Sequence, residues 1–151
     1  MHLLVTGGAG FIGSNFVHHL LENTTHQVTT LDALTYAGNR SNLEGTLSND
    51  RHEFVEGDIR DRELVTELAE TADAIVNFAA ESHVDRSIND TEPFVSTNVQ
   101  GTQVLLDVSR EVDIERFVQI STDEVYGEIL DGAFSESDPL EPRNPYAATK
   151  A

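Results

Sequence analysis

The stretch Val5-Thr6-Gly7-Gly8-Ala9-Gly10-Phe11-Ile12-Gly13-Ser14 constrains this chain more than any other. It follows a short apolar run, His2–Thr6, of the kind buried in a parallel sheet. It precedes Ile12, Phe16 and Leu20, spaced along one helix face, with Val17 and Leu21 beside them. The glycines satisfy G-x-G-x-x-G through Gly8, Gly10 and Gly13, and G-x-x-G-x-x-G through Gly7, Gly10 and Gly13. Without side chains there, a backbone can turn sharply from strand into helix and approach a pyrophosphate, whose charge meets the helix N-terminus. A glycine pattern alone is often a plain turn; its place between strand and helix is what gives it meaning.

Alternation continues down the chain. Gln27–Asp32, His52–Glu56, Ala74–Ala79 and Arg116–Ile120 read as further strands. Between them, Asp61 caps a helix bearing Leu64, Val65, Leu68 and Ala69, and a long helix spans Thr91 to Arg110 with Pro93 in its first turn. The buried face of that helix is expected to comprise Phe94, Val95, Val99, Val104, Leu105, Leu106 and Val108. Residues 33–50 read as loop with a helical turn near Ser41–Leu47. Strands separated by helices imply right-handed crossovers and a parallel sheet covered on both faces. The expectation is an α/β, Rossmann-type doubly wound fold with five strands in the order 3-2-1-4-5, and ligand at the carboxyl ends beside the first strand. One nucleotide-binding domain over residues 1–151 follows, without repeat or interdomain linker. The chain stops just as another helix starts, so the N-terminal part of a chain about twice as long is expected, cut before the substrate domain.

Composition narrows the class. Acidic residues number 27 against 9 basic ones, a formal charge of -18. No Lys/Arg stripe exists to attract a phosphate backbone, so nucleic-acid binding is disfavoured. Without cysteine there is no disulfide framework, thiolate metal site or cysteine nucleophile. No run approaches the ~20 apolar residues of a membrane helix, and a strand at His2–Thr6 leaves no room for a signal peptide, which points to the cytoplasm. The basic set is eight arginines and a single lysine, Lys150. Such lysine starvation points to a high-salt cytoplasm, where counter-ions screen self-repulsion, with a merely acidic protein as the alternative.

Three further elements carry chemistry. Asp32 ends the second strand roughly 20 residues after the glycine loop, where a carboxylate accepts from both adenosine ribose hydroxyls. It would repel a 2'-phosphate, and no basic residue follows until Arg40, so NAD is favoured over NADP. A solvated strand-end Asp is the plain alternative. Asp58-Ile59 after the third strand resembles an adenine clamp. Tyr146 and Lys150 lie at i and i+4 on one helix face. For a phenol of pKa about 10 to act as a base near neutrality its pKa must fall by about 3 units, or roughly 4 kcal/mol, a shift an adjacent ammonium favours. Tyr-x-x-x-Lys is common on solvated helices, but here it holds the only lysine. Ser121-Thr122-Asp123-Glu124 follows the fifth strand. Thr122 can bond a substrate hydroxyl or carbonyl. Adjacent carboxyls in a desolvated site cannot both ionise cheaply, so Asp123 and Glu124 could serve as one acid and one base, the equipment for eliminating water. An acidic loop in an acidic protein competes with that reading.

Together with Asn77-Phe78-Ala79-Ala80-Glu81-Ser82-His83-Val84-Asp85-Arg86-Ser87 and Leu34-Thr35-Tyr36-Ala37-Gly38-Asn39, these motifs resemble the extended short-chain dehydrogenases/reductases of the NAD-dependent epimerase/dehydratase family. Within it, the Glu-Ser-His-Val-Asp-Arg-Ser string and the Thr-Asp-Glu triplet are most similar to the dTDP-glucose 4,6-dehydratases. The resemblance runs the whole chain and covers about the first half of such an enzyme. It implies NAD contacts at Gly7, Gly10, Phe11, Ile12, Gly13, Asp32, Ala33, Leu34, Thr35, Asp58, Ile59, Phe78, Ala79, Ala80, Glu81, Ser82, Thr97, Tyr146 and Lys150. It implies sugar contacts at Ser82 and Thr122, and a catalytic set of Thr122, Asp123, Glu124, Tyr146 and Lys150. The implied lyase reaction oxidises C4 of a nucleotide sugar, eliminates water across C5–C6 and reduces C6. Ala147 stands where the family often has Ser. A homodimer through the Thr91–Arg110 helix and the one starting at Tyr146 is implied for the full-length enzyme, and is not expected of this stretch alone.

His18 and His19 point about 100° apart on a helix and are set aside as metal ligands. His83 is left unassigned, and Asn98 is read either as the holder of a proton-relay water or as a helix-packing residue. A 4-epimerase, a decarboxylase, a GDP-mannose-type dehydratase and a non-catalytic NAD-binding module remain as alternatives. The nucleotide of the sugar is not legible.

Overall fold

A computed structural model describes residues 1–151. Its residues group into two compact units, Met1–Ala79 with Gly101–Ile120, and Ala80–Gln100 with Ser121–Ala151. Sequence gave no sign of this division, because none of the three crossings is marked by a linker.

The first unit holds β1 (His2–Thr6), α1 (Phe11–Asn23), β2 (Gln27–Asp32), a 3-10 turn (Arg40–Leu43), β3 (His52–Glu56), α2 (Arg62–Ala69) and β4 (Ala74–Asn77). All strands are parallel and their order is β3-β2-β1-β4-β5, with β5 at Arg116–Gln119, as the crossover rule predicts. β4 and β5 are shorter than their apolar runs suggested. Central β1 is buried from Leu3 to Thr6 and β4 throughout, as expected where helices cover both faces.

Alternation along the strands supplies two core layers. Leu3, Val5, Val28 and Val76 pack with Val17, Leu20 and Leu21 of α1. Leu4, Leu31 and Ile75 point the other way, onto Val65 and Ala69 of α2 and Leu105 and Val108 farther along the chain. α1 carries no basic residue in its last turn. Arg51 supplies the cation from outside, donating to the carbonyls of Leu21 (2.6 Å), Thr24 (3.0 Å) and His26 (2.9 Å).

The second unit contains α3 (Val84–Asn89), not anticipated from the sequence, the short α4 (Glu92–Phe94), a 3-10 turn (Asp123–Tyr126) and a final helix over Pro145–Lys150. From α4 the chain runs through a π-helical segment, Val95–Gly101, into α5 (Thr102–Glu111), which belongs to the first unit; the closing helix is therefore α6. The long helix thus exists, but it is not one regular α-helix and its apolar residues do not share one face. Phe94, Leu105 and Val108 are buried, whereas Val95, Val99 and Leu106 are exposed. An apolar stripe at 3.6-residue period cannot accommodate all seven positions, and the wider π turn shifts the phase further.

Candidate active site

In the first unit the glycine loop is fixed by close packing. Gly7 has φ +70°, and a Cβ there would strike the Ala79 amide nitrogen; one on Gly13 would strike the Gly7 carbonyl oxygen. The loop therefore lies against the end of β4, and its glycines permit that approach. Gly10, the N-cap of α1, makes no side-chain cap bond, and the first turn has no acidic residue in a chain with 27 of them. The leading amides of a 13-residue helix are left for an anion. Phe11 (82% exposed) and Ile12 (62%) stand beside them, apolar side chains held in the open.

Asp32 is buried at the end of β2. Its Oδ2 accepts from Ala9 N at 2.8 Å and its Oδ1 from Leu34 N at 2.9 Å, so the loop and the strand end orient one carboxylate. Each oxygen keeps a second lone pair for a ribose hydroxyl. Leu34 adopts a left-handed backbone (φ 49°), costly for a branched side chain and held by that bond. Ala33 and Thr35 flank it, both exposed. Asp58 is gripped by Arg60, which donates from its backbone (2.9 Å), Nε (3.0 Å) and one terminal nitrogen (2.6 Å). The Arg60 hydrogen bond holds the Asp58 carboxyl below its ordinary pKa. Sequence reasoning missed that arginine. Ile59 is buried, and Phe78 packs on Phe16 with ring centroids 5.3 Å apart. These features suit a dinucleotide: bare amides for its pyrophosphate, an oriented buried carboxylate for its ribose, and apolar surface nearby.

The second unit brings together the catalytic residues read from the sequence. Thr122 caps the 3-10 turn, its Oγ1 accepting from Glu124 N at 3.3 Å and donating to Asp123 Oδ1 at 3.2 Å. Asp123 is exposed and Glu124 half-buried. The expected premise of two desolvated carboxyls therefore does not describe this pair, since the chain turns the two side chains into different surroundings. Pro145 starts α6 without an N–H to lose, and Asn144 caps it, Oδ1 accepting from Ala147 N at 2.7 Å. Tyr146 N donates to buried Ser87 Oγ at 3.1 Å, and the Tyr146 ring meets buried Phe94 edge-on, centroids 6.4 Å apart. Burial pulls the Lys150 ammonium down to about pKa 8.

Two bonds tie α6 to the segment before it. Asn144 Nδ2 donates to Glu124 Oε2 at 2.6 Å, and Ser121 Oγ donates to Lys150 O at 2.8 Å. Asn98, 4% exposed in the π segment, accepts from Glu81 N (2.8 Å) and donates to Glu81 O (2.9 Å) and Thr149 Oγ1 (2.9 Å). Its amide is committed to packing, the second of the two roles read for it. Thr97 beside it is half-buried, and Ala80, Glu81 and Ser82 continue from the peptide it holds. Sequence reasoning missed Asn144 and Ser121. The Asn-Pro pair is a helix-start signal and could have revealed the cap, though not its second partner.

Comparison with known proteins gives a consistent result. Residues 4–151 match the family described as GDP-mannose 4,6 dehydratase. The low-salt glycan biosynthesis protein Agl12 of Haloferax volcanii is 72% identical over 151 residues, all of this chain and 49% of that protein. A dTDP-glucose 4,6-dehydratase of Streptomyces niveus is 53% identical, over 100% of this chain and 46% of its own length. Among solved structures, DesIV, the dTDP-glucose 4,6-dehydratase of Streptomyces venezuelae with NAD and TYD bound, matches with a TM-score of 0.96 at 55% identity, over 99% of this chain and 48% of that one. UDP-glucose 4-epimerase of Brucella ovis in complex with NAD is more distant, at 33% identity and a TM-score of 0.88, over 99% of this chain and 44% of its own. The chain spans about half the length of the curated relatives it matches. With sheet order, glycine loop and family match agreeing over nearly every residue, the chain belongs to the GDP-mannose 4,6 dehydratase family.

Proposed function

We propose that the complete protein is an NAD-dependent dTDP-glucose 4,6-dehydratase, a cytoplasmic lyase that converts its nucleotide sugar to the 4-keto-6-deoxy product and water. The observation that carries this reading is the hydrogen-bonded pairing of Ser121–Glu124 with α6, which joins a hydroxyl, two carboxyls, a phenol and a half-buried amine in one unit. The relatives similar to this chain at about half identity bear that activity in their names, and DesIV has NAD and TYD bound.

The cofactor would be held by the Gly7–Gly13 loop, Asp32, Leu34, Asp58 and Ile59, with Phe78 to Ser82 and Thr97 completing the contacts. NAD bound there would supply the hydride acceptor for oxidation at the sugar C4 and the hydride donor for reduction at C6. Tyr146 removes the C4 hydroxyl proton as the C4 carbonyl forms. Lys150, still charged below pH 8, favours the phenolate. Thr122 bonds the C4 oxygen, and Ser82 contacts the sugar. The new ketone acidifies C5–H, and Glu124 takes that proton while Asp123 protonates the departing C6 hydroxyl, so water leaves. Glu124 then returns its proton to C5 as C6 is reduced. Exposure of Asp123 suits a group that must be reprotonated from solvent each turnover. Exposed Val95, Val99 and Leu106 support a homodimer of the complete protein.

The test is to incubate the purified complete gene product with NAD and dTDP-glucose and follow the alkali absorbance of a 4-keto-6-deoxy sugar. Product formation is expected. No product, or dTDP-galactose in its place, overturns the reading, and a preference for GDP-mannose moves the assignment within the family.

A further inference from the structure

We infer that Asn144 is a positioning residue for the elimination, holding the Glu124 carboxylate at the start of the helix that bears Tyr146 and Lys150. This rests on the dehydratase reading, and specifically on Glu124 as the base that acts at C5.

Asn144 has both ends of its side chain engaged. Oδ1 accepts from Ala147 N at 2.7 Å, and Nδ2 donates to Glu124 Oε2 at 2.6 Å. The amide orientation is settled by this network, because a flipped side chain would set its NH2 against the Ala147 N–H and its oxygen against a carboxylate. Its own carbonyl accepts from Ala148 N at 3.0 Å, so the backbone is held as well.

On the other side of the contact the Glu124 backbone is already fixed. Its N–H points to Thr122 Oγ1 at 3.3 Å and its carbonyl accepts from Gly127 N at 3.1 Å. What the 3-10 turn cannot fix is the long side chain, whose rotamer freedom must be lost if the carboxylate is to be held in one place. The Asn144 amide supplies that restraint at one oxygen and leaves Oε1 to receive a proton. Ser121 ties the opposite end of α6 through the Lys150 carbonyl, so the helix and the acid-bearing segment cannot slide past each other. Of the two ties, only Asn144 touches a reacting group.

A helix cap alone does not ask for an amide: Ser and Asp cap about as well. The donor to Glu124 is the part of Asn144 that capping leaves unexplained, and Asn144→Asp separates the two duties. The new carboxylate still accepts from Ala147 N but has no hydrogen for Glu124 and repels it. In the complete protein with NAD and dTDP-glucose, Asn144→Asp should keep its melting temperature and its KM. Its kcat should fall on the order of 100-fold, the cost of misplacing a reacting group by about 1 Å. Incorporation of solvent deuterium at C5 should fall in step, while nicotinamide reduction from C4 stays close to wild type. Where Asn144→Asp cannot be purified, Asn144→Ser reads the same quantity, with the cap kept and the long donor lost. Wild-type turnover in either variant overturns the inference. So does an equal loss of C4 oxidation and C5 exchange accompanied by a lower melting temperature, which is the pattern of a purely structural cap. A wild-type protein that leaves dTDP-glucose unchanged removes the dehydratase reading and this role together, whereas an active wild type with an unaffected variant removes Asn144 alone.

Discussion

Asn98 clasps the peptide of Glu81 from both sides, Oδ1 accepting from Glu81 N at 2.8 Å and Nδ2 donating to Glu81 O at 2.9 Å. The second amide hydrogen reaches Thr149 Oγ1, whose own proton goes to Tyr146 O at 2.8 Å. One buried side chain thus fixes the stretch leading into Ser82 and the helix of Tyr146. Asn98→Leu strands a buried N–H and C=O, and we expect urea denaturation to show a loss of roughly 2–4 kcal/mol. Asn98→Asp should fall between the two, since it keeps only the bond from Glu81 N.

The glycines of the loop should separate into structural and cofactor-facing positions. A Cβ on Gly13 meets the Gly7 carbonyl and Gly8 Cα, both backbone, whereas one on Gly10 finds only the Gly7 oxygen at 3.3 Å. Gly13→Ala should destabilise the chain by roughly 1–3 kcal/mol, as overpacking against rigid atoms does. Gly10→Ala should leave the melting temperature nearly unchanged and weaken NAD binding in calorimetry. Equal melting temperatures for the two variants would contradict the packing argument.

Lys150 should leave two pH signatures. Its pKa is depressed from 10.5 to about 8 by burial. Between those values the unfolded chain binds more protons than the folded one, so stability rises as pH increases from 8 towards 10.5. Below pH 8 the desolvation cost is present in full, and Lys150→Met should be more stable than wild type at pH 7 and lack the alkaline rise. In the complete enzyme, kcat/KM should decline above about pH 8 as the charge beside the phenol is lost. A stability difference between the two proteins that does not change with pH would argue against a desolvated amine.

The charge of -18 implies a stability that grows with salt. Ion pairs such as Arg62–Glu111 and Arg143–Glu128 are exposed and lose little when screened, whereas self-repulsion among 27 acidic residues loses much. The melting temperature should climb through a KCl series. A flat response would leave only an acidic protein without adaptation to salt.

Much of this arrangement was legible in the residues because it is encoded locally. Strand and helix periods, the glycines after β1 and the Asp closing β2 all sit within short windows, and crossover handedness then permits few strand orders. The features that escaped are of two kinds. The division into two units follows three crossings within or beside regular elements, at Ala79–Ala80, Gln100–Gly101 and Ile120–Ser121, where composition does not change. The π segment likewise has no compositional mark. The ties of Asn144 to Glu124 and Ser121 to Lys150 join residues 20 and 29 positions apart, pairings that no local pattern announces. Only side chains in place reveal them.

Arg51 shows what scarcity of cations has left in place. Its guanidinium serves three carbonyls around the end of α1 instead of an acidic neighbour. Dissolved potassium can replace a positive charge at the surface, but it cannot imitate a planar fork whose hydrogens hold separate loops at set angles. At Arg51 a guanidinium is therefore joinery between chain segments, a part that no free cation could take over.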